Sequence, residues 1–387
     1  MKITKFFALL AGAALAFAGC EPKPNDDGNG NGNGNGNHQT SGTLTLSASK
    51  TAVTMGETVE FTVEQKGEDG AFYDVTSECS IYINDANFSE VPSTYTFEST
   101  GSYTFFATKG ADNSNSLTIT VLADMPELPV DPQPENLAFN HRILVIDHTG
   151  VNCGYCPGMT DKLLAFAETE WHGHYNEVTC HAGSMAGGDP GNSQAANMLN
   201  QFQSSMIEGY PNICLNFYSA AIGNYNQAPF LNYMDQAFKQ LIKKDGADAG
   251  ISMAVTGDSE KVYCAAQIKS NVAQEYKVVA WLLESNIYSP GQSGATKDYH
   301  KLYNYALRNI SGEYSRSNVS GEEIGVIEIG ATYNTAFELP IVSTKWHVEN
   351  MGVLVIVSAK DANNRWEVVN SAYCTIDEGS KPYEYVD

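Results

Sequence analysis

Two cysteines separated by two residues, Cys153 and Cys156, constrain the fold of this chain more than any other feature. A continuous apolar run at residues 143–146 precedes them, and apolar residues with helical spacing follow them. This order predicts a buried strand, a short loop and a helix that starts at the cysteines. Two thiols at a helix N-terminus are typical of a thiol–disulfide exchange site, although the same spacing also forms half of a structural zinc site.

Zinc binding is the main alternative for this cysteine pair. Structural zinc sites usually draw on a second nearby pair, whereas Cys180 and Cys214 are single and lie within strand patterns. His148 and His181 complete a mixed Cys/His site only if their loops converge, and single histidines are more often structural than ligating. We therefore predict neither a metal ion nor another cofactor.

The residues around the cysteine pair carry further signals. Pro157 suits the first turn of a helix, where its missing N–H group costs no hydrogen bond. The amides and macrodipole of that helix end favour a thiolate, so the pKa of Cys153 is expected to be lowered. Tyr210 and Pro211 stand directly before a strand-like segment, and this order suggests a cis-proline loop.

In the order and spacing of these elements, residues 137–249 resemble a thioredoxin-like domain. The resemblance implies that Cys153 is the nucleophile and that Cys156 is the resolving thiol. It also implies that Tyr210 and Pro211 form the cis-proline pair that faces both thiols.

The same resemblance gives a role to Asp147, which lies six residues before Cys153. At this spacing it matches the buried acid that helps to deprotonate the resolving cysteine in thioredoxins. Two departures from the family concern the choice of substrate. Asn152 replaces the usual Trp, and a longer insert separates the second strand from Pro211.

Residues 1–19 resemble a bacterial lipoprotein signal. Lys2 and Lys5 give a positive start, and a thirteen-residue apolar run leads to small residues and Cys20. The run is too short to cross a bilayer comfortably. The resemblance implies that Cys20 is the lipidated first residue of the mature protein and anchors it to the membrane. Residues 20–42, rich in Gly and Asn, are predicted to be a disordered tether.

The charge of the chain limits its partners. The formal net charge is −23, and removal of Lys2 and Lys5 with the signal makes it −25. Nucleic acids and anionic lipid surfaces repel such a chain, and no local cluster of Lys or Arg overrides the global sign. The sequence therefore predicts a protein substrate or surface ligand and no nucleic acid.

Strand patterns dominate on both sides of the cysteine region. Residues 43–123 predict an N-terminal immunoglobulin-like β-sandwich, in which the single Cys79 is expected to be a buried apolar residue. A Pro-rich linker follows at residues 124–136, and residues 250–387 predict a C-terminal β-sandwich. The expected fold is multidomain, with a central thioredoxin-like α/β domain between two all-β domains.

The whole chain resembles the outer membrane protein 28-related lipoproteins in its lipoprotein start, its β-rich flanks and the segment His148-Thr149-Gly150 before the cysteine pair. Members of that family are described as surface adhesins or receptors. The resemblance implies a lipid-anchored protein of the outer membrane that faces the cell surface or the periplasm. In such an oxidising compartment, Cys264 and Cys374, in separate predicted strands, could form a bridge.

Two functions remain open at this stage. The first is thiol–disulfide exchange on a protein substrate, in which Cys153 attacks and Cys156 resolves. The second is a cell-surface adhesin that uses the thioredoxin-like domain as a scaffold and keeps the cysteine pair as a stable bridge. The cysteine pair favours the first function, whereas the β domains and the family resemblance favour the second. Whether the protein is an enzyme is therefore left open.

Overall fold

The computed structural model describes residues 40–67, 71–83, 88–122, 125–312 and 316–386. The predicted signal peptide, Cys20 and almost all of the predicted tether lie outside these residues. The first strand begins at Thr40, so the last residues of the predicted tether belong to it. In the part of the chain that is described, no helix is both long and apolar enough to cross a bilayer.

The chain divides into two compact units between residues 123 and 124, where the first predicted β domain ends. The second unit contains everything from there to the C-terminus, including the cysteine pair. The residues on both sides of the predicted boundary at 249 and 250 lie in this one unit. The coarser prediction, a multidomain protein rich in β structure, is confirmed.

The first unit consists of two sheets. Its strands are β1 (Thr40–Ala48), β2 (Ala52–Thr54), β3 (Thr58–Gly67), β4 (Phe72–Asp74), β5 (Ser80–Ile83), β6 (Glu90–Val91), β7 (Thr94–Thr96), β8 (Gly101–Lys109), β9 (Asp112–Asn113) and β10 (Leu117–Leu122). One sheet contains β1, β3, β4 and β7, and the other has the order β2-β10-β8-β5-β6 with β9 beside β8. A 3₁₀ helix, Thr76–Glu78, precedes β5.

Alternation along the strands explains how the two sheets share one core. In β3, Val59, Phe61 and Val63 are buried while their neighbours face outward. The ring of Phe61 lies 4.7 Å from that of Phe105 in the opposite sheet, measured between centroids. Cys79 packs against this core but is only half-buried, so it is less enclosed than predicted.

The second unit begins with alternating strands and helices and ends with strands. Its elements are β11 (Ile143–Thr149), α1 (Cys156–Ala167), β12 (Tyr175–His181), α2 (Gln194–Phe202), β13 (Asn212–Leu215), β14 (Ala220–Ile222), α3 (Gln227–Leu241), β15 (Ala249–Gly257), β16 (Lys261–Ser270), β17 (Gln274–Glu284), β18 (Ile287–Tyr288), β19 (Leu302–Tyr303), β20 (Ala306–Ile310), β21 (Glu322–Ile327), β22 (Thr332–Pro340), β23 (Met351–Lys360), β24 (Trp366–Thr375) and β25 (Ser380–Lys381). Short 3₁₀ helices connect some of them, at Gly183–Met185, Asp298–Lys301, Arg316–Ser320 and Val348–Asn350.

One large sheet runs through the second unit in the order β14-β13-β11-β12-β20-β17-β23-β24, with β21 also paired to β17. The join between the predicted domains is the pairing of β12 with β20, where Thr179 lies opposite Ala306 and its N–H donates to Tyr305 O over 2.9 Å. Without β20, the outer edge of β12 would expose unpaired N–H and C=O groups. This edge pairing places strands of residues 137–249 and of residues 250–387 in one sheet.

In the region of the predicted C-terminal β-sandwich, two sheets pack face to face. One of them is part of the large sheet that also contains β11 to β14. The sheet β22-β16-β15-β25 packs against β17, β23 and β24 of the large sheet. On the opposite side of the large sheet, Leu144 and Ile146 share a core with Trp281 and Leu354. Apolar side chains from both predicted domains therefore fill the same interior.

The predicted linker is also held in place. Asp131 accepts hydrogen bonds from Lys269 Nζ at 3.1 Å and from the Tyr385 hydroxyl at 2.7 Å. Lys269 additionally donates to the main-chain oxygen of Pro134. Residues 131–134 are thus attached to the second unit instead of acting as a free spacer.

Helix α1 lies over the first half of the large sheet. Pro157 occupies its first turn, and Met159, Leu163 and Phe166 form its buried face. This face packs with Phe238 of α3, whose ring lies 4.9 Å from that of Phe166. The packing fixes the start of α1, and therefore the cysteine pair, at the end of β11.

Candidate functional site

Cys153 and Cys156 are joined by a disulfide at the N-terminus of α1, with their Cα atoms 5.4 Å apart. The loop turns sharply after β11, since the N–H of Cys153 donates to Gly150 O and the N–H of Cys156 donates to Cys153 O. Both cysteines are only 3% exposed, whereas Tyr155 between them is 74% exposed. The bridge lies beneath the surface while its connecting residues are in solvent.

A later segment of the chain packs against the loop that carries this bridge, and we call residues 289–294 the cover segment. Its Ser293 N–H donates to Val151 O over 2.8 Å. The Gln292 amide donates to Cys153 O over 3.2 Å, and its Oε1 accepts from the Tyr303 hydroxyl at 2.6 Å. Sequence reasoning missed the cover segment because it lies 139 residues from the cysteines.

Glycine at position 294 permits the close approach of the cover segment. Gly294 has φ +72°, and a Cβ there would lie 2.1 Å from the main-chain oxygen of Gly154. Only a residue without a side chain fits so near the loop between the two cysteines. The pair of glycines at 291 and 294 is the one sequence signal that could have pointed to this segment.

Asp189 supports the other side of the cysteine loop. Its Oδ2 accepts from the N–H of Val151 at 2.7 Å and lies 2.9 Å from Nδ1 of His181. Burial alone would raise the pKa of Asp189, but hydrogen bonds from His181 and from the main chain lower it. This buried carboxylate links β12 to the loop and was not predicted.

The peptide bond between Tyr210 and Pro211 is cis. Pro211 directly precedes β13, where Asn212 lies opposite His148 of β11, so the proline is at the same sheet end as the cysteine loop. Tyr210 points elsewhere, because its hydroxyl donates to Asn200 Oδ1 of α2 over 2.8 Å. Of the two residues predicted to face the thiols, Tyr210 is therefore hydrogen-bonded to α2.

Asp147 is buried on β11, with 4% of its surface exposed. Its Oδ1 has no hydrogen-bond partner among the described residues. Burial raises its pKa well above the ordinary range, Glu177 raises it further and Lys162 opposes the shift. Burial also raises the pKa of Glu177 to about 7. The Lys162 ammonium donates to Asn224 Oδ1 at 2.5 Å.

A cavity of about 460 Å³ connects these acids with the bridge. It lies between α1, the face of β11 and β12, and the segment around β19. The alternation of the paired strands β11 and β12 places their polar side chains on this face. The residues that carry its chemistry are Asp147, Cys156, Glu177, His181, His300, Tyr303 and Tyr305.

The arrangement does not assemble the mixed zinc site considered from the sequence. Cys153 and Cys156 are bonded to each other, and Nε2 of His148 lies 2.8 Å from Gln203 Oε1. Burial lowers the pKa of His148 to about 4. Nδ1 of His181 is hydrogen-bonded to Asp189. Within the described ranges, no three His, Cys, Asp or Glu side chains are grouped to hold a metal ion.

The other cysteines that the structure describes are free thiols. Cys180 donates to Ala196 O at 3.1 Å, and burial raises the pKa of Cys214 to about 12. Cys264 and Cys374 lie in one core but are not bridged. Burial raises the pKa of Cys374 to about 11, as expected for an inert apolar thiol.

Comparison with known proteins gives a fold likeness only. No protein-family model matches the chain, and no curated protein matches it. Among solved structures, it is similar to HBP35 of Porphyromonas gingivalis, with a TM-score of 0.51 and 15% identity over 65% of this chain and 79% of that chain.

Two further structures are more remote. A DUF4785 family protein from Legionella pneumophila has a TM-score of 0.20 and 6% identity, over 87% of this chain and 56% of its own. The adhesin InvE of Yersinia pseudotuberculosis has a TM-score of 0.16 and 8% identity, over 86% and 58%. The likeness to HBP35 concerns the fold, and the chain is thus a multidomain, β-rich protein of similar architecture.

Proposed function

We propose that Cys153 and Cys156 form the reactive centre of a thioredoxin-like thiol–disulfide exchange protein that acts on protein substrates. The observation that carries the proposal is the position of Asp147, a buried acid with a strongly raised pKa that lines the same cavity as Cys156. Buried acids with perturbed pKa values beside a reactive group are typical of functional sites.

The order of elements supports the thioredoxin-like assignment. Strand β11 lies between β12, which is parallel to it, and β13, which is antiparallel to it. Helix α1 follows the cysteine pair, α2 connects β12 to β13, and β13 begins directly after the cis-proline. This is the arrangement that the sequence resemblance of residues 137–249 implies.

In the proposed reaction, the reduced protein exchanges its two thiols for a disulfide of the substrate. The Cys153 thiolate attacks one substrate sulfur, and the other leaves as a thiolate that takes up a proton. Asp147 then accepts the proton of the Cys156 thiol. The resulting thiolate attacks Cys153, so the protein disulfide forms and the second substrate thiol is released. A dithiol donor must return the protein to its reduced form.

A second function has its own supporting observation. Both cysteines are almost fully buried, and the cover segment holds the loop that carries them. Exchange on a protein requires an accessible sulfur, so this burial favours a stable bridge in a binding scaffold. In that case the protein is a cell-surface adhesin or receptor whose ligand binds elsewhere.

We also propose that the protein is held at the outer membrane through a lipid on Cys20 and faces the cell surface or the periplasm. The support is the signal-like sequence before Cys20 and the resemblance to outer membrane protein 28-related lipoproteins. Mass spectrometry of the mature N-terminus tests the lipid. Protease treatment of intact cells tests the orientation, because only a surface-facing chain is digested.

Trapping of mixed disulfides distinguishes the two functions. The variant Cys156→Ser leaves Cys153 without its resolving partner, so an exchange protein accumulates covalent complexes that a reductant dissolves. The matched control is Cys153→Ser, which removes the attacking thiol and should trap nothing. If Cys156→Ser traps no partner and the bridge has a reduction potential as low as that of structural disulfides, the exchange function is rejected.

A further inference from the structure

We propose that the cavity beneath the Cys153–Cys156 bridge binds an organic cation, namely a primary ammonium or guanidinium group carried on an apolar body. This inference goes beyond the exchange function, since it concerns the cavity and not the reactivity of the sulfurs. It rests on an unpartnered buried acid, the character of the cavity wall and the size of the space.

One carboxyl oxygen beside the cavity is unpartnered. Asp147 is more than nine-tenths buried, lines the cavity and has an Oδ1 without a hydrogen-bond partner among the residues that the structure describes. A buried acceptor without a donor costs about 1–3 kcal/mol. Glu177 lies on the neighbouring strand and lines the same space. A ligand cation in the cavity would bring an N–H donor to this pair of acids.

No Lys or Arg side chain pairs with Asp147 and Glu177 from within the described wall of the cavity. Lys162 is near enough to Asp147 to affect its pKa, but its ammonium donates to Asn224. An anionic ligand would therefore meet two acids and no Lys or Arg side chain in the described wall, which disfavours phosphates and carboxylates as ligands.

Aromatic and apolar side chains also line the cavity. Four tyrosines line the cavity, and two of them, Tyr305 and Tyr373, have ring centroids 5.7 Å apart at an interplanar angle of 85°. Aromatic faces attract organic cations. Leu163 and Leu164 of α1 provide apolar surface for the body of the ligand.

The size of the cavity and the net charge of the chain also favour an organic cation. A volume of about 460 Å³ lies in the range of small-molecule sites and exceeds what a bare ion fills. The described residues hold no group of three His, Cys, Asp or Glu side chains suited to a metal ion. The formal net charge of −23 raises the local concentration of cations near the protein.

Calorimetric titration of the oxidised full-length chain tests the inference with three probes of similar shape. These are 2-phenylethylamine, the neutral 2-phenylethanol and the anion phenylacetate. We expect the amine to bind about tenfold or more tightly than either analogue, because only the amine makes charge-assisted hydrogen bonds. Equal binding of amine and alcohol, or no binding by the amine, would overturn the inference.

Variants locate the site. Asp147→Asn and Glu177→Gln are each expected to weaken the amine about tenfold, whereas Glu170→Gln, at an exposed position after α1, leaves the affinity unchanged. Retention of the full affinity in both cavity variants contradicts the assignment. The comparison of the three probes needs no variant, so it decides the question even if a variant does not fold. All titrations use the oxidised protein, and loss of exchange activity alone does not affect their outcome.

Discussion

The side-chain amide of Gln292 donates a hydrogen bond to the main-chain oxygen of Cys153 over 3.2 Å, although 139 residues separate the two. The same side chain accepts from the Tyr303 hydroxyl, so it is held from both ends. A contact of this kind connects the C-terminal half of the chain to the cysteine loop. We therefore expect access to the disulfide to depend on the cover segment as well as on α1.

Replacement of Gln292 by Ala is expected to weaken the packing of the cover segment on the cysteine loop. The change removes a buried donor to Cys153 and leaves the Tyr303 hydroxyl without its acceptor, at a cost of about 1–3 kcal/mol in the free energy of unfolding. Dithiothreitol should also reduce the bridge faster, as followed by thiol labelling. The exposed Gln227 provides a control, since Gln227→Ala should change neither quantity. An unchanged reduction rate in Gln292→Ala would show that the cover does not limit access.

Two glycines of the cover segment, Gly294 and Gly291, provide a test variant and its control. Gly294→Ala places a methyl group 2.1 Å from Gly154 O at a positive φ, so the cover segment must shift. Gly291→Ala meets no atom within 4 Å. We expect the first variant to lower the free energy of unfolding by more than about 1 kcal/mol and to expose the bridge. The second should behave like the native chain. Similar melting curves and reduction rates for both variants would argue against the close approach.

Glu177 is expected to make stability depend on pH. Burial raises its pKa from 4.5 to about 7 in the folded chain, so the folded state binds this proton more tightly than the unfolded state. The stabilisation is fully present below pH 4.5 and is lost as pH rises through about 7. Glu177→Gln keeps the shape of the neutral acid and removes this loss.

The measurement is the difference in unfolding free energy between Glu177→Gln and the native chain across this pH range. The variant should gain stability relative to the native chain as pH rises, by up to about 3 kcal/mol at pH 8. Glu170→Gln, at an exposed position, should not reproduce the gain. A constant difference between pH 4 and pH 8 would contradict a raised pKa of the half-buried Glu177.

A buried ion pair lies between β17 and β20, and its arginine also reaches the first half of the second unit. Arg308 Nε lies 2.6 Å from Glu284 Oε2, and both side chains are at most 2% exposed. Arg308 also donates to Pro190 O over 2.8 Å, which ties β20 to the loop after β12. Removal of one partner leaves an uncompensated buried charge, so Arg308→Ala should cost about 3–5 kcal/mol.

The same variant tests whether residues 124–387 unfold together. Because the large sheet crosses the predicted domain boundary, we expect Arg308→Ala to shift a single unfolding transition of this unit. Probes in both halves, such as the fluorescence of variants that keep only Trp171 or only Trp281, should give the same midpoint. Lys360→Ala, at an exposed pair with Glu275, should leave the midpoint almost unchanged. Two separate transitions would restore the boundary at residues 249 and 250.

Local sequence patterns were informative wherever short-range chemistry decides the structure. The apolar run at residues 143–146 forms the core of β11, and α1 begins at Cys156 with Pro157 in its first turn. The peptide bond before Pro211 is cis. Alternation in the flanking regions marked strands, because the side-chain period of two is a property of the backbone alone.

Long-range contacts lay beyond these patterns. The strand that covers the edge of β12 and the segment that packs on the cysteine loop both lie more than a hundred positions away in sequence. The two acids that share the cavity are 30 positions apart and meet because their strands pair. Asp147 could be marked as a candidate from its spacing to Cys153, but Glu177 and Gln292 could not, since nothing near them in sequence carries a redox signal. The packing of the complete second unit joins the two predicted domains into one sheet and buries the cysteine pair, because paired edges and shared apolar cores arise only when the whole chain has folded.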